Sequence, residues 1–157
     1  MKKTVLLVED NRHKRERVLA FLTESWSSWA VTQAQSFTSG CRCVASDEYG
    51  LILMDMSLPT YDKSPKESGG RFRTLGGREV ARKALRKGSQ TKVLFLTQYD
   101  AFGDGPTSHT LETLDAELSM EFKNLYLGLV YYDSSQSAWK EKISKVLEVL
   151  DSEVTNS

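Results

Sequence analysis

Short apolar segments alternate with amphipathic segments along the whole chain, and this alternation restricts the fold more than any other feature of the sequence. Strands that alternate with helices predict a parallel sheet that is covered on both faces. Because right-handed crossovers exclude most topologies, we predict a flavodoxin-like doubly wound α/β fold with five parallel strands in the order 2-1-3-4-5. The predicted strands are Thr4–Val8, Ala30–Ala34, Leu51–Asp55, Lys92–Thr97 and Leu125–Tyr131.

Capping residues mark the predicted helices between these strands. The predicted helix starts are Asn11, Ser36, Gly76 or Gly77, Thr110, and Ser134 or Ser135. The third helix is basic and is expected to stop at Gly88, because glycine readily adopts the left-handed conformation that ends helices. The last helix is expected to direct Trp139 and Ile143 inward.

The chain has 157 residues, which is the length of one ordinary domain. We predict one domain of this fold over residues 1–150 and a polar C-terminal tail over residues 151–157. No apolar segment approaches the ~18 residues that a membrane span requires, and the apolar segment near the N-terminus is too short for a signal peptide. A cytoplasmic location is therefore expected.

Two long segments interrupt the pattern, and charge is distributed unevenly along the chain. Ser57–Leu75 and Gln98–Ser108 contain proline and glycine and are predicted to be loops. The net charge is zero, yet Lys63–Lys92 is strongly basic. Such a charge distribution can attract an acidic partner or mediate self-association, and the alternative is that the stretch consists of solvated helix faces. Nucleic-acid binding is the least favoured alternative, because the total charge is neutral and basic residues do not alternate with aromatic ones.

Acidic side chains stand where two neighbouring strands of the predicted sheet end. Glu9 and Asp10 follow the first strand, and Asp55 ends the third. Ligands of open parallel sheets bind at this edge, and Thr97 ends the fourth strand beside it. Converging carboxylates repel one another unless a proton or a cation is shared, and their oxygen atoms suit Mg²⁺. The alternative is that each acid only caps the helix that follows it.

Three segments of the chain carry a resemblance to a known family. Val5–Asn11, Leu51–Pro59 and Val93–Thr97 resemble, in this order, the receiver domain of two-component response regulators. In that family an acid pair and an acceptor aspartate hold Mg²⁺, and a phosphoryl group passes from a kinase phosphohistidine to the aspartate. The resemblance thus implies the same flavodoxin-like fold and a signalling role.

The resemblance assigns a role to each matching residue. Glu9, Asp10 and Asp55 would bind Mg²⁺ together with the backbone carbonyl of Ser57. Asp55 would accept the phosphoryl group, and Thr97 would contact it. A carboxylate is a competent phosphoryl acceptor, and the transfer depends mainly on positioning and on neutralisation of charge.

The chain departs from the family at the end of strand five. The family has a lysine there, whereas this chain has Tyr132, or Tyr131 if the register shifts by one. The aromatic switch position of the family reads Leu129 or Gly128. We predict that Tyr132 faces the acidic cleft and that no lysine from strand five reaches it. A basic residue of the first long segment can replace the missing lysine in space, and the candidates are Lys63, Lys66, Arg71 and Arg73.

The sequence thus predicts a signalling module rather than an enzyme. The first hypothesis is a stand-alone receiver, since no output domain follows the last helix. It would be phosphorylated on Asp55 by a sensor histidine kinase or a phosphotransfer protein. It would signal by docking a downstream protein through Ser57–Leu75 and Gln98–Ser108, because binding residues concentrate on loops. The alternative is a pseudo-receiver, an interaction module of the same fold that works without phosphorylation.

Overall fold

The computed structural model describes residues 3–66, 68–99, 101–102 and 109–156. Within these residues, five strands of four or more residues alternate with helices, and four two-residue strands lie between them. In chain order the elements are β1 (Thr4–Val8), α1 (Arg12–Ser25), β2 (Ala30–Ala34), α2 (Phe37–Ser46), β3 (Leu51–Met54), β4 (Leu58–Pro59), β5 (Phe72–Arg73), α3 (Gly76–Arg86), β6 (Lys92–Thr97), β7 (Ala101–Phe102), β8 (His109–Thr110), α4 (Leu111–Phe122), a 3₁₀ turn (Lys123–Leu125), β9 (Tyr126–Tyr131) and α5 (Ala138–Asn156).

Five of the strands in the described part of the chain form one parallel sheet in the order β2-β1-β3-β6-β9. This order confirms the predicted flavodoxin-like topology, since these strands are the first to fifth strands of the sequence pattern. A register shift interrupts the pairing of β6 with β9 after Val93. Gly128 lies just beyond it with φ +135°, a conformation that disfavours any residue with a Cβ.

Alternate residues of the central strands enter two separate cores, one on each face of the sheet. Helices α1 and α5 cover one face, where Trp139 and Ile143 are buried as predicted. Helices α2, α3 and α4 cover the other face. The central strands are apolar on both sides because both of their faces are buried, so β1 and β3 expose almost nothing to solvent.

The long segments that were predicted to be loops contain strand pairs. Within Ser57–Leu75, β4 pairs with β5 in antiparallel fashion, and the hairpin continues where the Thr60 amide donates to the Arg71 carbonyl. In the second segment β7 pairs with β8, which lies directly after the segment. The rest of Gln98–Ser108 includes Asp100 and residues 103–108, which lie outside the described residues.

The capping residues act as predicted, except at the last helix. Asn11, Ser36 and Thr110 each accept a backbone N–H of the first helical turn through the side chain. Helix α5 begins at Ala138 instead of Ser134 or Ser135, because the Asp133 carboxylate accepts hydrogen bonds from Ser135 and closes a turn first. The helix continues to Asn156, over residues where a polar tail was expected. Among the described residues, no helix combines the length and the apolar character that crossing a membrane requires.

Candidate functional site

The backbone of the sheet fixes the positions of two acidic residues. Beyond the end of β1, the Glu9 amide donates to the Ala34 carbonyl at 3.0 Å. Beyond the end of β3, the Asp55 amide donates to the Val8 carbonyl at 3.0 Å. The hydrogen-bond ladder therefore extends one residue past each strand and holds Glu9 and Asp55 at the carboxyl edge of the sheet.

The side chains that follow β1 and β3 converge at this edge. Glu9, Asp10 and Asp55 each offer a carboxylate oxygen, and these oxygens all lie within 4.8 Å of one another. The side chains of Glu9 and Asp55 are buried, whereas the Asp10 side chain is 16% exposed. The structure thus brings together the three acids that were predicted to bind a metal, with Asp10 on the solvent side.

A lysine that the sequence analysis missed lies among these acids. The ammonium of Lys14 is 2.6 Å from Glu9 Oε1 and 3.1 Å from Asp55 Oδ2. It also donates to the Leu96 carbonyl at 2.6 Å. The Lys14 side chain is only 2% exposed, so its charge is buried together with its partners.

Local sequence explains how Lys14 reaches this position. Asn11 caps α1, and its side chain accepts the Lys14 amide at 3.0 Å. Lys14 then occupies the same helix face as Val18, Phe21 and Leu22, which are all buried against the sheet. The sequence does contain a signal for the burial of this lysine, because Lys14 continues the apolar stripe of α1 toward the strand ends. Its partners cannot be read from the stripe, because they come from three other strand ends.

Burial shifts the two buried acids, Glu9 and Asp55, toward their protonated forms. Burial, and then the Asp55 carboxylate, raise the pKa of Glu9 to about 8. Burial also raises the pKa of Asp55, although Lys14 opposes this shift. Burial lowers the pKa of the Lys14 ammonium, but attraction to Asp55 and Glu9 outweighs it, so the net shift is upward. The Lys14 ammonium therefore does not fully offset the cost of burying the two carboxylates.

The main chain after β3 holds Asp55 from its other side. Asp55 Oδ1 accepts the Met56 amide at 2.6 Å and the Ser57 amide at 3.4 Å. Helix α3 approaches this turn closely, since the Gly77 amide donates to the Met56 carbonyl at 2.7 Å. A Cβ at Gly77 would lie 2.2 Å from the Asp55 carbonyl oxygen, so only glycine fits there.

Two predicted site residues, Thr97 and Ser57, lie beside the acids. The described hydrogen bonds of their hydroxyls go to other groups. Thr97 is fully buried at the end of β6, and its hydroxyl accepts the Tyr99 amide at 3.2 Å. The Ser57 hydroxyl donates to the Thr74 carbonyl at 2.7 Å. The predicted roles of Thr97 as a phosphoryl contact and of the Ser57 carbonyl as a metal ligand stay predictions.

Tyr132 is buried, and its described contacts lead to the acids only through Lys14. Its hydroxyl accepts a hydrogen bond from Arg17 Nη1 at 3.0 Å. Its ring centroid lies 5.5 Å from the Lys14 ammonium and 5.2 Å from the Trp139 ring. The Tyr132 ring thus packs beside Lys14, at the position where the family has a lysine.

The basic residues of the segment after Asp55 contribute at the rim of the cluster. The Lys63 ammonium lies 3.6 Å from Asp10 Oδ2, and the Lys63 side chain is 57% exposed. Arg73 turns away to the Glu79 carboxylate and the Phe37 ring. Of the basic residues that were predicted to replace the family lysine, Lys63 reaches the acids. It pairs with Asp10 and not with Asp55.

The cluster fits a divalent cation by its chemistry. Glu9, Asp10 and Asp55 offer hard oxygen donors, which Mg²⁺ prefers. Burial is the main cause of the raised pKa of Glu9 and repulsion from Asp55 adds to it, so a divalent cation would favour the ionised form of this carboxylate. These residues are the ones that can hold the metal.

Comparison with known proteins identifies response regulators among the proteins that this chain resembles. No protein-family model matches the chain. The Detocs response regulatory protein DtcB of Enterobacter cloacae is 30% identical over 148 residues, which are 92% of this chain and 99% of that protein. The uncharacterized protein y4jR of Sinorhizobium fredii is 32% identical over 93% of this chain and 97% of its own length.

Solved receiver domains share the fold at lower identity. The response regulator receiver domain protein of Methanospirillum hungatei superposes with a TM-score of 0.62 over the whole of both chains, at 17% identity. The response regulator TrrA of Thermotoga maritima, solved in complex with Mg²⁺-BeF, gives a TM-score of 0.55 at 23% identity and covers 92% of this chain and 98% of its own. Taken with the match to DtcB along nearly all of both sequences, this likeness means that the chain belongs to the response-regulator receiver family of two-component signalling.

Proposed function

We propose that this protein accepts a phosphoryl group on Asp55 from a sensor histidine kinase or a phosphotransfer protein. The observation that carries the proposal is the convergence of Glu9, Asp10 and Asp55 within 4.8 Å at the carboxyl edge of the sheet. An acceptor carboxylate beside two further acids suits a reaction in which a cation offsets repulsion between the acceptor and the incoming phosphate.

Transfer of the phosphoryl group exchanges one bond to phosphorus for another and needs no oxidant or reductant. One carboxylate oxygen of Asp55 forms a bond to phosphorus while the bond between phosphorus and the donor's imidazole nitrogen breaks. The nitrogen keeps the electron pair and takes up a proton. The Met56 amide holds Asp55 Oδ1 in place, so the acceptor is oriented before the donor arrives.

Mg²⁺ is the cofactor that we propose for this step, held by Glu9, Asp10, Asp55 and the Ser57 carbonyl. When bound, it would neutralise charge on the acceptor and the phosphate. Two solved relatives support the assignment by analogy. TrrA was solved with Mg²⁺-BeF, and the receiver domain of a sensor histidine kinase from Pseudomonas aeruginosa, with a TM-score of 0.60 and 18% identity, was solved with magnesium in its active-site cleft.

Incubation of the protein with Mg²⁺ and acetyl phosphate tests the proposal. We expect a phosphate adduct in the intact mass, absent when EDTA replaces Mg²⁺. Peptide mapping should place the adduct on the segment that contains Asp55. A folded protein that binds Mg²⁺ but never gains an adduct would exclude phosphorylation by a small donor and contradict the proposal.

One observation favours the pseudo-receiver alternative. Both carboxylate oxygens of Asp55 are engaged, Oδ1 by backbone amides and Oδ2 by Lys14, and the side chain is 4% exposed. A carboxylate held in this way can act as a permanent structural element. The same adduct experiment separates the two functions, because a pseudo-receiver would show native stability without any adduct.

Signalling would proceed by docking to another protein in the cytoplasm, and the β4–β5 hairpin is the surface that we propose for the phosphodonor protein. This hairpin borders the acids, as the contact of Lys63 with Asp10 shows. Lys63 and Lys66 are exposed and basic, so they suit an acidic rim on a partner. Ser57–Leu75 and Gln98–Ser108 together stay the predicted contact for the downstream partner.

Replacement of both Lys63 and Lys66 by serine is expected to separate protein donors from small donors. Transfer from a phosphohistidine protein that labels the wild-type chain should slow by about tenfold at low salt, because steering by charge is lost. Labelling by acetyl phosphate should change by less than about threefold, since exposed charges are largely screened. Equal slowing with both donors would argue against a docking role for the hairpin.

A further inference from the structure

We infer that Lys14 is the cation that faces the phosphoryl group on Asp55, in place of the lysine that the family carries after the last strand. The inference rests on the proposed phosphorylation of Asp55. It assigns to α1 a function that the sequence pattern of the family does not place there.

The three donors of the Lys14 ammonium match three acceptors. They are Glu9 Oε1 at 2.6 Å, Asp55 Oδ2 at 3.1 Å and the Leu96 carbonyl at 2.6 Å. The Leu96 carbonyl cannot lose its partial charge, so it holds Lys14 in place while the carboxylates change protonation or bind other groups. The ammonium is therefore preorganised beside the carboxylate oxygen of Asp55.

Other cations near the site are committed elsewhere in the described part of the chain. Arg15 donates to the backbone carbonyls of Glu9 and Asp10, and not to their carboxylates. Arg17 donates to the Tyr132 hydroxyl and the Ser134 carbonyl. Lys63 pairs with Asp10 at the exposed rim. The direct ion pair described for Asp55 is the one with Lys14.

Tyr132 completes the arrangement by occupying the place from which the family lysine would extend. Its ring is buried against Trp139 and lies 5.5 Å from the Lys14 ammonium. An aromatic ring at this distance tolerates and attracts a cation, whereas a second lysine at the same place would repel Lys14. Tyr132 after β9 is therefore compatible with a buried cation that comes from α1.

The position of Lys14 has opposite consequences for a phosphoryl group and for a metal. A phosphoryl group on Asp55 adds negative charge beside the ammonium, and a charge-assisted hydrogen bond in a buried site favours it. A divalent cation instead competes with the ammonium for the carboxylates of Glu9 and Asp55. Removal of the charge should therefore weaken one interaction and strengthen the other.

Lys14→Met tests the inference with two measurements. Calorimetric titration with Mg²⁺ should show an affinity at least fivefold higher than that of the wild-type protein, because the competing ammonium is gone. Labelling by acetyl phosphate at saturating Mg²⁺ should slow roughly ten- to hundredfold, the range that loss of a charge-assisted hydrogen bond gives. A residue with only a structural role would not produce opposite changes.

Lys140→Met is the matched control. The Lys140 ammonium lies over the Trp139 ring, 5.6 Å from its centroid. This variant should change neither the Mg²⁺ affinity nor the labelling rate by more than about twofold, because the described contact of the Lys140 ammonium is with the Trp139 ring and not with the acids. If Lys14→Met does not fold, Lys14→Arg and Lys14→Gln replace it, since both disturb the packing and only arginine keeps the charge. Arginine should then retain labelling, and glutamine should lose it.

The outcomes separate the inference from the proposed function. A wild-type protein that gains no adduct overturns the proposed function, and the inference with it. A labelled wild-type protein combined with unchanged labelling of Lys14→Met, or with unchanged or weaker Mg²⁺ binding by this variant, overturns the inference alone. Equal labelling of the arginine and glutamine variants would do the same.

Discussion

Asp55→Asn is expected to abolish the phosphate adduct completely and to leave the protein folded. An amide oxygen is a far weaker nucleophile than a carboxylate, so no acyl phosphate can form at this position. The substitution keeps the shape of the side chain and removes the carboxylate whose repulsion adds to burial in raising the pKa of Glu9. Repulsion on Glu9 decreases, but the buried Lys14 ammonium loses one carboxylate partner and keeps Glu9, so the free energy of unfolding in metal-free buffer should fall by no more than about 3 kcal/mol.

Intact-mass measurement after incubation with acetyl phosphate checks the first part of this expectation, and thermal unfolding in EDTA checks the second. Asp62→Asn is the matched control, since Asp62 is an exposed acid on the neighbouring hairpin that accepts a hydrogen bond from Ser39. This control should label like the wild-type protein. An adduct that persists on the Asp55→Asn variant would mean that another residue is the acceptor.

Gly77→Ala is expected to lower the free energy of unfolding by about 3 kcal/mol, because overpacking against a rigid backbone forces α3 to move. The added Cβ would meet the Asp55 carbonyl oxygen at 2.2 Å. In an unhindered helix the same change would stabilise the fold by up to about 1 kcal/mol, so the sign of the effect is decisive. The shift of α3 should also displace the Met56 amide from Asp55 and slow the labelling of Asp55.

Chemical denaturation of Gly77→Ala beside Gly40→Ala provides the comparison. Both glycines lie in helices that pack on the same face of the sheet. A Cβ at Gly40 would meet methyl groups of Val8 and Val80 at 3.3 to 3.6 Å, and those side chains can yield. The Gly40 variant should therefore lose much less stability. Similar losses in both variants would contradict the close backbone approach at Gly77.

The fold could be predicted from the sequence because its determinants are local. Buried parallel strands are apolar on both faces, and the helices between them carry one apolar stripe and a capping residue such as Asn11 or Thr110. Right-handed crossovers then leave few arrangements, and the observed strand order is the predicted one. The same rule placed Glu9 and Asp55 at one edge, since the carboxyl ends of parallel strands meet there.

Other features depend on contacts between residues that are distant in the sequence. The short pairs β4–β5 and β7–β8 contain too few residues for a strand pattern to appear. The late start of α5 follows from a turn at Asp133 that competes with serine capping. Local propensity does not decide such competitions, because the two alternatives differ by no more than one or two hydrogen bonds.

By itself, the sequence determined the sheet, its two helical layers and the edge at which the acids gather. Only the tertiary structure decided which basic residue pairs with these acids. Nothing in the helical stripe of Lys14, Val18 and Phe21 reveals that the first member is an ion-pair partner and not a solvated end. Lys14 is 41 residues from Asp55 and 82 from Leu96, and only the packing of α1 on the sheet brings their atoms within 3.1 Å. A buried charge is stabilised by where its partners lie in space, and spacing along the chain does not encode that distance.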